Sequence, residues 1–137
     1  MTTVSPYLNF DGNTREVMTF YKECFGGELV LQVVAGSPME KHVPAELKNQ
    51  IMHSTLTNGP MTIMASDMLG TSALIKGNNM RMCLHCTSEE EINAIFNKLA
   101  AGGKVNMALD KTFWGSIYGE LTDKFGTLWM LNHELKK

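Results

Sequence analysis

The sequence has few cysteines and no long hydrophobic run. Three cysteines in 137 residues are an odd number and too few for a disulfide framework. A transmembrane helix needs about 18 or more consecutive apolar residues, and no run in this sequence approaches that length. The N-terminus also lacks the charged and then apolar layout of a signal peptide. These absences predict no membrane partner and a reducing, cytoplasmic setting.

Basic residues are scarce as well. Twelve Lys and Arg against fourteen Asp and Glu give a formal net charge of −2, and the longest basic run is the pair Lys136-Lys137. A weakly acidic surface does not attract nucleic-acid phosphates or anionic lipids, so we expect no nucleic-acid partner. With 44% hydrophobic and 19% charged residues, the composition indicates one ordinary globular domain over residues 1–137.

The most informative feature that is present is an internal repeat. Asn13–Glu16 and Ser88–Glu91 both have the pattern of a capping box at a helix start. An apolar stripe with helical spacing follows each, and the pairs Gly26-Gly27 and Gly102-Gly103 end them. Identical residues recur 76 positions apart at Leu8/Leu84, Phe20/Phe96, Lys22/Lys98, Gly26/Gly102 and Gly27/Gly103.

Each predicted helix has one strand before it and three strands after it. The expected strands are 7–10, 28–34, 51–57 and 61–66 in the first half and 80–86, 104–109, 115–122 and 127–133 in the second. Turns at Asn58–Pro60 and Asp123–Gly126 close the last hairpin of each half. The sequence therefore predicts an α+β fold of two βαβββ modules, about 1–66 and 80–137, joined by a linker at 67–79.

Several segments carry a resemblance to a known family. They are Pro6–Asn13, Phe20–Glu28, Ile51–Leu56, Thr112–Ser116 and Thr122–Trp129. These segments resemble the PhnB-like branch of the vicinal-oxygen-chelate superfamily, which includes glyoxalase I, extradiol dioxygenases and the bleomycin resistance proteins. Members of this branch are also labelled 3-demethylubiquinone-9 3-methyltransferase-like. However, no Gly-x-Gly-x-x-Gly loop of the kind that holds S-adenosylmethionine follows a strand here.

The resemblance implies a cleft in each module. The strands are expected to curl around that cleft with the helix on the outer face, and two copies of the chain are expected to form a homodimer. Strand alternation places every second side chain on the cleft side. The residues that we expect to bind a ligand there are Tyr7, Asn9, Met64, Arg81, His85, Trp114 and Met130.

The resemblance also implies a divalent metal held by one His or Glu from each of four strands. The corresponding positions are Ser5 or Pro6, Met64, Arg81 or Met82, and Met130. None of these residues is a normal ligand for Zn, Ni, Fe or Mn, which prefer imidazole or carboxylate groups. We therefore predict no metal site of the superfamily type and no cofactor.

Other residues are candidates for chemistry. His53 and Glu120 are the expected acid–base residues, because their strands should face the cleft. Arg81 would bind an anionic group, unless it forms a structural ion pair with Glu120. His53, His85 and Glu120 would hold a metal if they converged. Cys83 and Cys86 lie three apart in a strand and so on opposite faces, which argues against a shared metal or a disulfide.

The predicted function is binding of a small organic ligand in a largely apolar cleft, with or without metal-independent turnover. Two alternatives stay open: a metal-dependent isomerase, lyase or dioxygenase with displaced ligands, and a drug-sequestering resistance protein. Trp114 either stacks on the ligand or caps the strands. The long segment Ala35–Gln50 is expected to be a lid or a subunit contact, with one helical turn at Pro44–Lys48.

Overall fold

The computed structural model describes residues 2–69 and 74–135. The chain divides into two compact units, Met1–Ile75 and Lys76–Lys137. Within the described residues, each unit has one α-helix and four strands in the order β-α-β-β-β, so the predicted α+β fold of two such modules is confirmed. The predicted linker at 67–79 includes residues 70–73, which lie outside the described residues, and its limits stay a prediction.

The first unit contains one mixed sheet. Its elements are β1 (Tyr7–Phe10), α1 (Thr14–Phe25), β2 (Glu28–Val33), β3 (Ile51–Asn58) and β4 (Met61–Asp67). The strand order is β1-β4-β3-β2, in which β1 is parallel to β4 and the other pairs are antiparallel. Between β2 and β3 the chain forms two short 3-10 helices, Pro38–His42 and Ala45–Leu47, and the second confirms the predicted turn.

The second unit repeats this arrangement. Its elements are β5 (Met82–His85), α2 (Glu89–Ala100), β6 (Lys104–Lys111), β7 (Ser116–Thr122) and β8 (Leu128–Glu134). The strand order is β5-β8-β7-β6, again with one parallel pair, β5 and β8, and two antiparallel pairs. Strand β5 is shorter than the predicted segment 80–86, and β6 is longer than 104–109. The repeat in the sequence thus corresponds to a repeat in the fold.

Strand alternation separates two faces in each sheet. Helix α1 packs on β2, β3 and β4, and α2 packs on β6, β7 and β8. Side chains on the helix side, such as Phe10, Trp129 and Leu131, are buried, whereas Tyr7 and Asn9 are exposed on the opposite side. We call that opposite side the open face of each sheet. In the part of the chain that is described, no helix has the length and apolar character needed to cross a membrane.

The two helices begin in different ways. In α2 the predicted cap at Ser88 is confirmed, because its Oγ accepts a hydrogen bond from the Glu91 N–H at 3.0 Å. The predicted capping box at Asn13 is wrong: its side chain makes no cap hydrogen bond, and its backbone (φ −118°, ψ 21°) lies outside the extended region that capping requires. Asp67 of β4 accepts the N–H of Thr14 instead, at 3.0 Å.

The carboxylate of Asp67 stabilises the first module in two places. Its Oδ1 accepts from the Thr14 N–H, and its Oδ2 accepts from the Ile51 N–H at 2.8 Å. The side chain is only 4% exposed, so water cannot easily replace it. We expect Asp67→Ala to lower the free energy of unfolding by about 2–4 kcal/mol, because two buried donors lose their acceptor.

Urea unfolding followed by circular dichroism measures this loss. Asp11→Ala, at an exposed carboxylate near the same helix, is the matched control and should change stability by no more than about 0.5 kcal/mol. Equal stabilities of the two variants would contradict the role given to Asp67.

The repeated glycines mark a close approach of two backbones. A Cβ atom at Gly27 would lie 2.4 Å from the carbonyl oxygen of Thr57, and one at Gly103 would lie 2.3 Å from that of Thr122. In both modules the chain leaving the helix passes directly over the hairpin strand with which it pairs. The recurrence of glycine at these two positions, 76 residues apart, therefore has a steric cause, because a larger residue does not fit at either one.

Candidate functional site

Two rows of side chains cross the open face of the second sheet. The strand register places one row at Met107, Glu120, Met130 and Cys83, and the next at Asp110, Tyr118, Asn132 and His85. Each row takes one residue from each of the four strands. The open face therefore combines sulfur, aromatic and charged groups within a small area.

A cavity of about 550 Å³ lies at the β6–β7 side of this face. It is lined by Met107, Ala108, Asp110, Lys111, Thr112, Trp114, Tyr118 and Glu120. Its volume falls within the range of about 300–1,000 Å³ that is typical of small-molecule sites. All the lining residues belong to the second module, so that module forms this cavity by itself.

The turn between β6 and β7 presents Trp114 to solvent and to the cavity. The Thr112 N–H donates to the Ser116 carbonyl at 2.8 Å, and the Ser116 N–H donates to the Thr112 hydroxyl at 3.1 Å. Gly115 closes the turn at φ +91°, a conformation that favours glycine. The indole of Trp114 is 59% exposed and packs edge-on against Tyr118, with ring centroids 6.1 Å apart.

A polar cluster of balanced charge includes two of the cavity residues, Tyr118 and Glu120. Arg81 and Glu120 form an ion pair, and the Tyr118 hydroxyl donates a hydrogen bond to the other Glu120 oxygen at 2.8 Å. Of the two interpretations left open by the sequence, the structure thus shows the Arg81–Glu120 pair. Because the two charges offset each other, the cluster presents little net charge to a bound molecule.

Tyr118 is strongly affected by this environment. Burial raises its pKa, and the hydrogen bond to Glu120 and the charge of that carboxylate raise it further, to about 12, against an opposing effect of Arg81. A raised pKa means that the folded state favours the protonated phenol. The resulting contribution to stability is complete below the ordinary tyrosine pKa of about 10 and is lost as the pH rises towards 12.

We expect Glu120→Gln to lower the pKa of Tyr118. The variant removes a negative charge and leaves Arg81 unpaired, and both changes favour the phenolate. Ultraviolet difference titration of each protein against its own Tyr118→Phe counterpart isolates this one phenol. An unchanged Tyr118 titration in Glu120→Gln would show that Glu120 has no influence on the hydroxyl.

The open face of the first sheet carries a different group. The Tyr7 hydroxyl lies 3.1 Å from His53 Nδ1, and the Thr55 hydroxyl lies 3.2 Å from His53 Nε2. The rings of Tyr7 and His53 also stack, with centroids 5.7 Å apart. Since a hydroxyl can donate or accept, both neutral tautomers of His53 are accommodated. Tyr7 is also the strand partner of Met64.

The predicted site residues lie on the two open faces. Tyr7, Asn9, His53 and Met64 are on the first sheet, Arg81, His85, Glu120 and Met130 are on the second, and Trp114 is in the β6–β7 turn. The sequence analysis missed the cavity residues Met107, Asp110, Lys111 and Tyr118. Two irregularities in β6 explain this, because register shifts on either side of Met107 interrupt its alternation. Tyr118 could have been predicted, because it lies two residues before Glu120 and therefore on the same face of β7.

Metal-binding side chains do not cluster in the described residues. Among residues 2–69 and 74–135, no three His, Cys, Asp or Glu side chains lie close enough together to hold an ion. His53 contacts Tyr7 and Thr55, and Glu120 pairs with Arg81. The structure thus does not bring the proposed displaced ligands into one group.

Comparisons with known proteins identify the family. Residues 4–131 match the Glyoxalase/Bleomycin resistance protein/Dioxygenase superfamily. The chain belongs to this superfamily. The membership expected from the sequence resemblance is thereby confirmed, and the glyoxalase-type fold agrees with the two repeated modules described above.

Three individual proteins are similar to this chain over nearly their whole length. Protein YjdN of Escherichia coli strain K12 is 32% identical over 138 residues, covering 94% of this chain and 93% of the relative. The crystal structure of protein PA1353 from Pseudomonas aeruginosa has 36% identity and a TM-score of 0.86, covering 99% of this chain and all of that one. The PhnB protein from Bacillus cereus has 25% identity and a TM-score of 0.75, covering 96% and 99% of the two chains.

The superfamily's divalent metal does not fit the residues of this chain. The sequence resemblance implies four ligand positions, and Met64 and Met130 stand at two of them; thioethers are poor ligands for hard or borderline divalent ions. At the other two positions stand Ser5 or Pro6, and Arg81 or Met82. The Arg81 guanidinium is engaged with Glu120. No step of the proposed function is therefore assigned to such a metal.

Proposed function

We propose that this superfamily member binds a small, flat, uncharged organic molecule in the cavity of its second module, without a divalent metal. The observation that carries the proposal is the cavity of about 550 Å³ with an exposed indole, Trp114, at its rim. An aromatic ring that is both exposed and held by a tight turn is suited to stack on a planar ligand.

The lining supports an uncharged ligand. The carboxylate of Glu120 is already paired with Arg81, and one Asp110 oxygen accepts a hydrogen bond from the backbone N–H of Lys111 at 2.8 Å. Glu120 therefore offers no unpaired charge to a charged ligand. Met107, which is 50% exposed, can adapt its flexible side chain to ligands of different shape.

Should the bound molecule also react, Glu120, which lines the cavity, is the proposed acid–base residue. His53 lies on the open face of the first sheet and is the proposed acid–base residue of that face. The contacts of His53 support this role, because a ring held between the Tyr7 and Thr55 hydroxyls can exchange a proton through either nitrogen. Glu120 accepts a hydrogen bond from the Tyr118 hydroxyl, and both residues line the cavity. This arrangement supports proton transfer between Glu120 and a bound molecule. Six other residues were also expected to bind a ligand, namely Tyr7, Asn9, Met64, Arg81, His85 and Met130. They do not line this cavity, and that role stays a prediction.

A ligand screen tests the proposal. Trp129 is 1% exposed and Trp114 is 59% exposed, so acrylamide quenches chiefly the fluorescence of Trp114. Compounds that stabilise the protein in a thermal-shift screen should also protect Trp114 from quenching. Stabilising compounds that leave the quenching unchanged would place the ligand elsewhere.

The same compounds separate the alternatives. Mass spectrometry of the compound after incubation distinguishes an enzyme, which changes it, from a sequestering protein, which returns it intact. Metal analysis of protein purified without chelator addresses the metal-dependent isomerase, lyase or dioxygenase. One tightly held divalent ion per chain, with activity lost on chelation, would overturn the metal-free proposal.

We also propose that the chain acts as a homodimer. Strand β6 lies at a sheet edge, and every residue from Lys104 to Lys111 except Leu109 is exposed. Natural proteins seldom leave so long an edge uncovered. Light scattering coupled to size exclusion should give twice the chain mass of 15.2 kDa; a value of one chain mass at high concentration would contradict the dimer.

The cytoplasm is the proposed location of the protein. Cys24, Cys83 and Cys86 are all free thiols, and free thiols persist in reducing compartments. Fractionation of cells that express the tagged full chain tests this location, and recovery in the secreted fraction would contradict it.

A further inference from the structure

Two soft sulfur groups and one imidazole lie together on the open face of the second sheet. The Cys83 Sγ is 3.7 Å from His85 Nε2. Met130 of β8 is the register partner of Cys83, and its neighbours Trp129 and Leu131 are buried on the opposite, helix-covered face. The three side chains thus share one face of two adjacent strands.

The distance between the two nearest donors suits a shared metal ion. Metal bonds of about 2.3 Å to sulfur and about 2.05 Å to nitrogen, separated by 110–120°, place the two donors about 3.5–3.8 Å apart. The observed separation of 3.7 Å falls in that range, so neither side chain needs to move far to bind one ion.

Met130 is in position to supply a third donor. Neighbouring strands are about 4.8 Å apart, and the three rotatable bonds of a methionine let its sulfur cross that gap. The resulting ligand set is one thiolate, one imidazole and one thioether. Thiolate and thioether ligands select soft ions, above all Cu(I), whereas Zn²⁺ is rarely bound by a thioether.

Charge also favours a monovalent ion. On binding, the sulfur–hydrogen bond of Cys83 breaks, its proton leaves to solvent, and a sulfur–copper bond forms, so that one unit of positive charge replaces another. A divalent ion would add a net positive charge beside an ion pair, Arg81–Glu120, whose own charges already offset each other.

We propose that Cys83, His85 and Met130 form a binding site for one Cu(I) ion in the second module. This site is separate from the ligand cavity and does not depend on the proposed function. Among the described residues, no three His, Cys, Asp or Glu side chains form a metal-binding group. The proposed site differs from such a group because its third donor is the thioether of Met130.

Anaerobic titration with Cu(I), in competition with a colorimetric Cu(I) chelator, tests the proposal. The full chain should bind one Cu(I) and release one proton at pH 7. Cys83→Ser should weaken binding by more than about 100-fold, because removal of a direct ligand exceeds the 10- to 100-fold loss typical of supporting residues. His85→Phe and Met130→Leu should each weaken it by about 10-fold or more.

Met107→Leu provides the matched control, because Met107 is an exposed methionine on the same open face. This variant should bind Cu(I) as tightly as the unmodified chain. X-ray absorption of the copper complex should show two sulfur ligands and one nitrogen ligand. Unchanged affinity in Cys83→Ser, or a spectrum without nitrogen, would overturn the proposal. All variants are at solvent-accessible or half-buried positions, and circular dichroism is the check that each one is folded.

Discussion

Replacing Trp114 with alanine is expected to weaken the binding of cavity ligands by about 30-fold to 1,000-fold. This range corresponds to the loss of about 2–4 kcal/mol that is typical when an aromatic anchor is truncated. The indole lines the cavity and packs against Tyr118, so its removal takes away the largest apolar surface that a planar ligand could contact. Calorimetric titration with compounds from the thermal-shift screen measures the change.

Two further variants distinguish stacking from a structural role of Trp114. Trp114→Phe keeps a ring and should recover most of the affinity. Phe113→Ala removes the neighbouring ring, which is 98% exposed and does not line the cavity, and should bind as the unmodified chain does. If Trp114→Ala binds the same compounds within about threefold of the unmodified chain, corresponding to less than 1 kcal/mol, the indole only caps the strands.

Asp123→Ala is expected to lower the free energy of unfolding by about 3–5 kcal/mol. The carboxylate is 3% exposed and accepts three hydrogen bonds, from the N–H groups of Phe125 and Thr127 and from the Trp129 indole N–H, at 2.9, 3.0 and 2.8 Å. Each buried donor left without an acceptor costs about 1–3 kcal/mol. The turn that these bonds hold also sets β8 beside β7.

Urea unfolding, followed by the fluorescence of buried Trp129, measures this effect. Asp123→Asn is the informative control: one amide oxygen can still accept from the turn, but the amide nitrogen cannot accept from Trp129, so stability should be intermediate. A loss below about 1 kcal/mol in Asp123→Ala would mean that other groups satisfy these donors.

The fold could be predicted from the sequence because the pattern of one βαβββ module occurs in both halves. Each half has a Gly-Gly pair at the end of its helix, an apolar stripe along that helix and a turn in its last hairpin. Because the two halves agree, each of these assignments supports the corresponding one in the other half. The capping box at Asn13 failed for a physical reason. The N–H of Thr14 is instead bound by Asp67, 53 residues after Thr14, and a contact over that distance leaves no local pattern.

The candidate site was only partly predictable. Strands that alternate regularly, such as β5 and β8, gave the correct faces for His85 and Met130. For β6 the sequence allowed no assignment of faces, because its register shifts beside Met107 and a bulge interrupts the period of two. The ion pair of Arg81 with Glu120 depends on β5 and β7 lying on either side of β8, which the order along the sequence does not reveal.

Methyl NMR of the methionines tests the central claim most directly. With ¹³C-methyl methionine and ¹⁵N-indole labels, compounds found in the screen are titrated to saturation. Binding in the second-module cavity predicts that the Met107 methyl and the Trp114 indole signals shift together, while the methyl of fully buried Met18 in the first-module core stays in place. Saturation that leaves both Met107 and Trp114 unchanged would contradict the proposed site.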